Sequence, residues 1–201
     1  MTYIEEDTVA YFGYGSLVNL ATLRTSYITA WPAKLRGWER VWLPRPKVAG
    51  SFAPIDGLAF LSVQPNPAVE IDGIIVIDKA ESLESLDTRE AAYRRHRIEL
   101  PDVTVIRPEN GEPFDIPMFM YVADTVAPEG QEARILRSYL DAVFQGYLTH
   151  FGEEGVRRFV ETTANFGLEI LEDREEPVYP RAVGISEIER GLFDIQLPIM
   201  E

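Results

Sequence analysis

Two segments of this sequence carry residue types that could do chemistry. One is Leu86-Asp-Thr-Arg-Glu90-Ala-Ala-Tyr93, in which a glutamate sits where a helix-like stretch hands over to a strand-like one. A carboxyl group withdrawn from water has a raised pKa, and can take up a proton and return it near neutral pH. The other is Phe12-Gly-Tyr-Gly-Ser-Leu17, where two glycines flank a tyrosine at the end of an apolar run. Glycine lets the backbone turn sharply and lets a ligand come close to the main chain. Successive N–H groups in such a loop can cradle an anion or a developing oxyanion. Each segment alone also has a plain structural reading. The first is one acid among 33 Asp and Glu residues, and the second is an ordinary strand-to-loop turn.

Other chemistries are poorly supplied. Cysteine is absent and only His96 and His150 occur, so thiolate catalysis, disulfides and a Cys- or His-rich metal site have no ligands. Ser16 does not stand in a G-x-S-x-G elbow, because both glycines precede it. The formal net charge of −14 repels nucleic acid and anionic lipid. No apolar stretch is long enough to cross a bilayer, and the acidic start Met-Thr-Tyr-Ile-Glu-Glu-Asp is unlike a secretory signal. A cytoplasmic location with neither nucleic-acid nor membrane partners is expected.

Those two segments need elements to hold them. Thr8 to Tyr14 reads as a buried strand, and Pro32 to Leu43 as a second one with Gly37 marking a bulge. Pro44, Pro46 and Pro54 punctuate the loop that follows. Gly57 to Val63 and Val69 to Ile77 read as two further strands, the latter buried on both faces through Ile74-Ile-Val-Ile77. Lys79 to Thr88 looks helical, and Tyr93 to Leu100 and Pro117 to Ala123 extended. From about Pro128 to Thr149, Ile135, Leu136, Tyr139, Leu140, Val143, Phe144 and Tyr147 form a helical stripe. A shorter helix is expected at Glu153 to Thr162, and a terminal one near Ser186. Strands first and helices later predict an α+β fold.

Three motifs in this order, Tyr14-Gly-Ser-Leu17, then Leu35-x-Gly-Trp-x-Arg40, then Leu86-Asp-x-Arg-Glu-x-x-Tyr-x-Arg95, resemble the γ-glutamylcyclotransferase superfamily over roughly residues 8 to 123. The resemblance implies a small mixed β-barrel with flanking helices, here as one domain over 1–201 with a core of about 8–125 and a helical C-terminal extension of about 126–201. It implies release of 5-oxoproline from a γ-glutamyl peptide or amine, without a cofactor or metal. In that pattern Glu90 would be the acid/base, and Tyr14, Gly15, Ser16 and Leu17 would hold the γ-glutamyl half. Tyr121, in the run Met-Tyr-Val, would line the pocket. The sequence departs from the pattern after Glu90, where many members carry glycine and this chain has Ala91 and Ala92.

Two other readings stay open: a binding module that keeps the pocket without turnover, and an interaction protein using its C-terminal helices. Arg94 and Arg95 are the candidates to draw in an anionic substrate. The aromatic stripe on the long helix reads as a packing seam, and Trp38 and Trp42 as core or pocket wall. Asp173, Arg174, Tyr179 and Arg181 have no assigned role.

Overall fold

A computed structural model describes residues 7–23, 26–45, 56–106, 116–124 and 133–197. Its centre is a mixed sheet in the strand order β4-β6-β1-β3-β2-β5. These strands are β1 (Thr8–Gly13), β2 (Thr29–Pro44), β3 (Ala59–Lys79), β4 (Tyr93–Arg97), β5 (Val103–Val105) and β6 (Met118–Ala123). A short helix α1 (Leu83–Arg89) links β3 to β4. The later chain adds β7 (Ile135–Leu136), the long helix α2 (Arg137–Glu161), β8 (Thr163–Ala164), β9 (Ile170–Leu171) and α3 (Glu187–Ile195). The α+β class expected from the sequence is what is found.

β2 and β3 form the longest ladder, antiparallel from Thr29↔Ile77 to Pro44↔Ala59. It is interrupted between Arg36 and Trp38, where Gly37 takes a φ of 85° and the bulge bends the ribbon. The bend brings the first half of β3 back towards β6 and β4. There the Ala123 N–H donates to Ser62 Oγ at 3.0 Å, and the Tyr93 hydroxyl donates to the Leu61 carbonyl at 2.8 Å. The sheet thus curls over itself through side-chain bonds. Among the described residues no backbone ladder closes it into a continuous barrel.

The two strands expected at 57–63 and 69–77 are one strand. The chain stays extended between them, but its register with β2 steps from Glu70 to Pro65 across the bulge, so residues 66–69 have no partner in β2. The stretch Ile71–Asp78 is buried throughout. Ile135 and Leu136 are also strand, not helix, because they pair with Ile170 and Leu171. The short strand β5 on the edge of β2 was not anticipated. Pro46, Pro54 and the expected helix start at Pro128 lie outside the described residues.

α2 continues from the first expected helix into the second. Gly152, at φ 67°, is the non-helical joint between them. The stripe Leu140, Val143, Phe144 and Tyr147 is fully buried. Ser186 caps α3 through a reciprocal bond pair with Glu189. Phe193 of α3 meets Phe144 edge-on, so one apolar cluster runs from Ala10 of β1 to Phe193. No described helix is long and apolar enough to cross a membrane.

Candidate active site

Glu90 ends α1. Its N–H donates to the Leu86 carbonyl, and its own carbonyl accepts from the Tyr93 N–H, which turns the chain into β4. Its φ of −99° is open to any residue, and neither Ala91 nor Ala92 has a positive φ. The turn therefore needs no glycine after Glu90. The side chain is mostly buried, and one carboxylate oxygen lies 2.9 Å from Arg89 Nε. Arg89 is in turn held by the Thr22 carbonyl at 3.1 Å. Burial pushes the Glu90 carboxyl above its usual range. Arg89, then Arg181 and Arg45, pull the other way without cancelling it.

The glycine-flanked loop leaves β1 and makes a single tight turn, in which the Val18 N–H bonds the Gly15 carbonyl at 3.0 Å. α2 holds it from outside. Asn19 Nδ2 donates to the Ala142 carbonyl at 2.9 Å, and the Tyr147 hydroxyl lies 2.9 Å from the Tyr14 carbonyl. The Tyr139 hydroxyl faces the loop at Gly15 and Ser16.

Two connected spaces meet at Glu90. The larger, about 460 Å³, is lined by Glu90 together with Tyr11, Asp78, Arg45, Tyr179 and Arg181. The smaller, about 30 Å³, lies against Tyr14, Gly15, Ser16 and Leu17 and is closed at its far side by Tyr121. Ser16, Leu61, Glu90, Tyr93 and Tyr139 line both. Burial first of all raises the phenol pKa values of Tyr14, Tyr93 and Tyr139, so these groups stay neutral and act as hydrogen-bonding walls rather than bases.

Glu90, Tyr14, Gly15, Ser16, Leu17 and Tyr121 thus lie around one place, although not every polar group points there. The Tyr14 hydroxyl is spent on the Tyr121 carbonyl, and the Tyr121 hydroxyl on Asp87 at 2.7 Å. Arg94 and Arg95 do not line either space. Arg94 is largely exposed beside Asp124, and Arg95 pairs with Asp87 at 2.9 Å. β4 pairs along one edge with β6, and its residues after Tyr93 continue away from the cavity. Trp42 is core and Trp38 stacks edge-on with His96, so neither is pocket wall.

The cations and rings that do line the cavity, Arg45, Tyr139, Tyr179 and Arg181, were missed or left without a role. Tyr139 was hidden in a helical stripe whose other members are core. Arg45 follows Pro44 at the end of β2, and Arg181 follows Pro180 in a turn that the Ala182 N–H closes on the Tyr179 carbonyl at 3.1 Å, so each stands next to a proline. That is the one signal the sequence offered for them. Asp173, near Tyr179, is structural: it accepts from the Ser138 N–H and hydroxyl at the start of α2. Arg174 pairs with Asp141 at 2.7 Å. Among the described residues no group of three or more His, Cys, Asp or Glu side chains could hold a metal ion.

No family model and no curated protein sequence matches the chain. Solved structures do. A γ-glutamyl cyclotransferase superposes with a TM-score of 0.58 at 16% identity, over 94% of this chain and 99% of that one. The uncharacterized human protein loc79017 gives 0.56 at 15%, over 94% and 99%. YkqA from Bacillus subtilis gives 0.54 at 15%, over 80% of this chain and 57% of that one. The chain has the γ-glutamyl cyclotransferase-like fold.

Proposed function

We propose that this chain is a γ-glutamyl cyclotransferase-type enzyme that releases 5-oxoproline from a γ-glutamyl compound. The observation that carries the reading is Glu90: a buried carboxyl with a raised pKa, at the junction of a ligand-sized cavity and the Tyr14–Leu17 loop. The shared fold with a γ-glutamyl cyclotransferase supports it.

In this reaction the substrate's α-amine attacks its own γ-carbonyl. A C–N bond closes the five-membered ring and the γ-amide C–N bond breaks. Nucleophile and electrophile belong to one molecule, so alignment alone supplies an effective concentration of about 10⁵ M or more. Two protons remain to be moved. The α-ammonium must lose one before it can attack, and the leaving nitrogen must gain one before it departs. The Glu90 carboxylate takes the first and returns it to the second, ending as it began. A carboxyl with the usual low pKa would hold the proton too weakly to act in both directions; burial corrects this. Main-chain N–H groups of residues 14–17 would stabilise the oxygen charge that develops. The space beside them is small, about 30 Å³, and Tyr139 lines it, so a γ-glutamyl group at the loop meets the Tyr139 ring and hydroxyl.

The test is direct. Purified protein is incubated with γ-glutamyl dipeptides, glutathione and γ-glutamyl amines, and 5-oxoproline is measured by mass spectrometry beside Glu90→Gln. Release that depends on Glu90 supports the reading. Binding without release would point to a non-catalytic module, and release that survives in the variant would assign the wrong residue.

A further inference from the structure

We propose that Arg45 and Arg181 form a carboxylate-recognising end of the cavity, and select γ-glutamyl compounds whose released half carries an acidic group beside the scissile nitrogen. This rests on the reaction proposed above and names its substrate class.

The order of residues along the site carries the argument. Tyr14, Gly15 and Leu17 line only the small space at the loop. Glu90 lines both spaces. Arg45 and Arg181 line only the large one. A substrate with its γ-glutamyl half at the loop and its amide nitrogen at Glu90 extends its other half into the large space, which the two arginines line. Both act electrostatically on Glu90, which keeps them within reach of the reacting centre.

Among the described residues neither guanidinium forms an ion pair. Arg45 holds the chain through its backbone N–H, which donates to the Leu58 carbonyl at 2.8 Å. Its Nε is buried with no hydrogen-bond partner among the described residues. Arg89 is paired with Glu90 and donates through Nη1 to the Thr22 carbonyl, although its Nε, like that of Arg45, has no hydrogen-bond partner among the described residues. In the same cavity the Asp78 carboxylate is engaged by the Lys79 N–H at 2.8 Å and the Ser82 hydroxyl at 2.9 Å. The cavity thus has three arginines against two carboxylates in a protein of net charge −14. A local surplus of cations in so acidic a chain draws in anions. The planar guanidinium fork matches a carboxylate through two parallel hydrogen bonds. An uncharged amine tail would leave the buried Arg45 nitrogen unsatisfied.

The same chemistry could instead serve the α-carboxylate of the γ-glutamyl half. A matched pair separates the two: γ-glutamyl-alanine and γ-glutamyl-ethylamide share that carboxylate and differ in the one on the released half. The wild-type protein is expected to favour γ-glutamyl-alanine at least tenfold in kcat/KM, mostly through KM. Arg45→Gln and Arg181→Gln are each expected to shrink this ratio, and the double variant to bring it close to one. Arg45→Lys and Arg181→Lys, which keep the charge, retain part of the preference and serve if a glutamine variant fails to fold. A wild-type ratio near one, or a ratio the variants leave unchanged, would overturn the inference and leave the reaction standing. So would an equal loss on both substrates, which would assign the arginines to the γ-glutamyl half. No 5-oxoproline from either compound would overturn the reaction and this inference with it.

Discussion

The Tyr147 hydroxyl stands 2.9 Å from the carbonyl oxygen of Tyr14, 133 residues away in sequence. The same hydroxyl lies 2.8 Å from the Asp72 carbonyl and accepts from Arg40 Nη1 at 3.0 Å. A helix from the C-terminal part of the chain therefore fixes the loop that the N-terminal motif supplies. Tyr147→Phe removes this link inside a fully buried network, at an expected cost of about 1–3 kcal/mol. Urea denaturation reads it as a lower midpoint. A midpoint equal to the wild type's would show that the loop is held without it.

Gly146, one residue earlier, marks how close the helix comes. A Cβ there would lie 2.6 Å from the Asn19 nitrogen and 2.8 Å from the Val18 carbonyl carbon, both backbone atoms that cannot swing aside. Gly146→Ala is expected to lift α2 from the loop and lose about 1–3 kcal/mol, seen as a fall in Tm.

Glu90→Gln should lower turnover by about 10²–10⁴-fold and also change how stability follows pH. Because burial raises the Glu90 pKa, the folded chain keeps a proton there that the unfolded chain has already released. The stability this group supports is complete below the ordinary carboxylate pKa and is lost as pH rises through the higher folded value. The glutamine variant escapes that loss. Its stability relative to wild type should rise between pH about 4 and neutrality, by denaturant titration at each pH. A pH-independent difference would contradict the raised pKa.

Arg89 is the largest of the influences that lower the Glu90 pKa. Arg89→Gln removes it, so the Glu90 pKa climbs further. The base must be ionised to take the ammonium proton, and the acid limb of the kcat/KM profile should therefore move to higher pH. An unmoved limb would mean that another group titrates in catalysis.

The Tyr139 hydroxyl faces the loop and lines both spaces beside Glu90, so a substrate at the loop must share the donors there with it. Tyr139→Phe keeps the ring and removes that hydroxyl. KM for a γ-glutamyl substrate is expected to fall several-fold with kcat little changed, in steady-state assays. A rise in KM would instead make the hydroxyl a substrate contact.

Much of the frame was legible because it depends on local pattern. The apolar run ending in glycine made β1, Ser186 with Glu189 made a capped α3, and the two chemical motifs lay at element ends where their neighbours could be read. The two strands expected at 57–63 and 69–77 became one for a non-local reason: β2 pairs with both halves, and the bulge at Gly37 takes up the step between Pro65 and Glu70.

By itself the sequence determined the α+β class, the loop at Tyr14–Leu17 and the identity of Glu90 as the carboxyl at a helix end. Only the tertiary structure decided what surrounds that carboxyl. Arg45, Tyr139 and Arg181 come from three separate segments, and nothing in their local pattern says that they converge. Arg94 and Arg95, close by in the chain, are carried off along β4 and paired with Asp124 and Asp87. The physical reason is that strand direction and helix docking, not distance along the chain, decide which charges share a low-dielectric cavity, and that sharing sets the environment of Glu90.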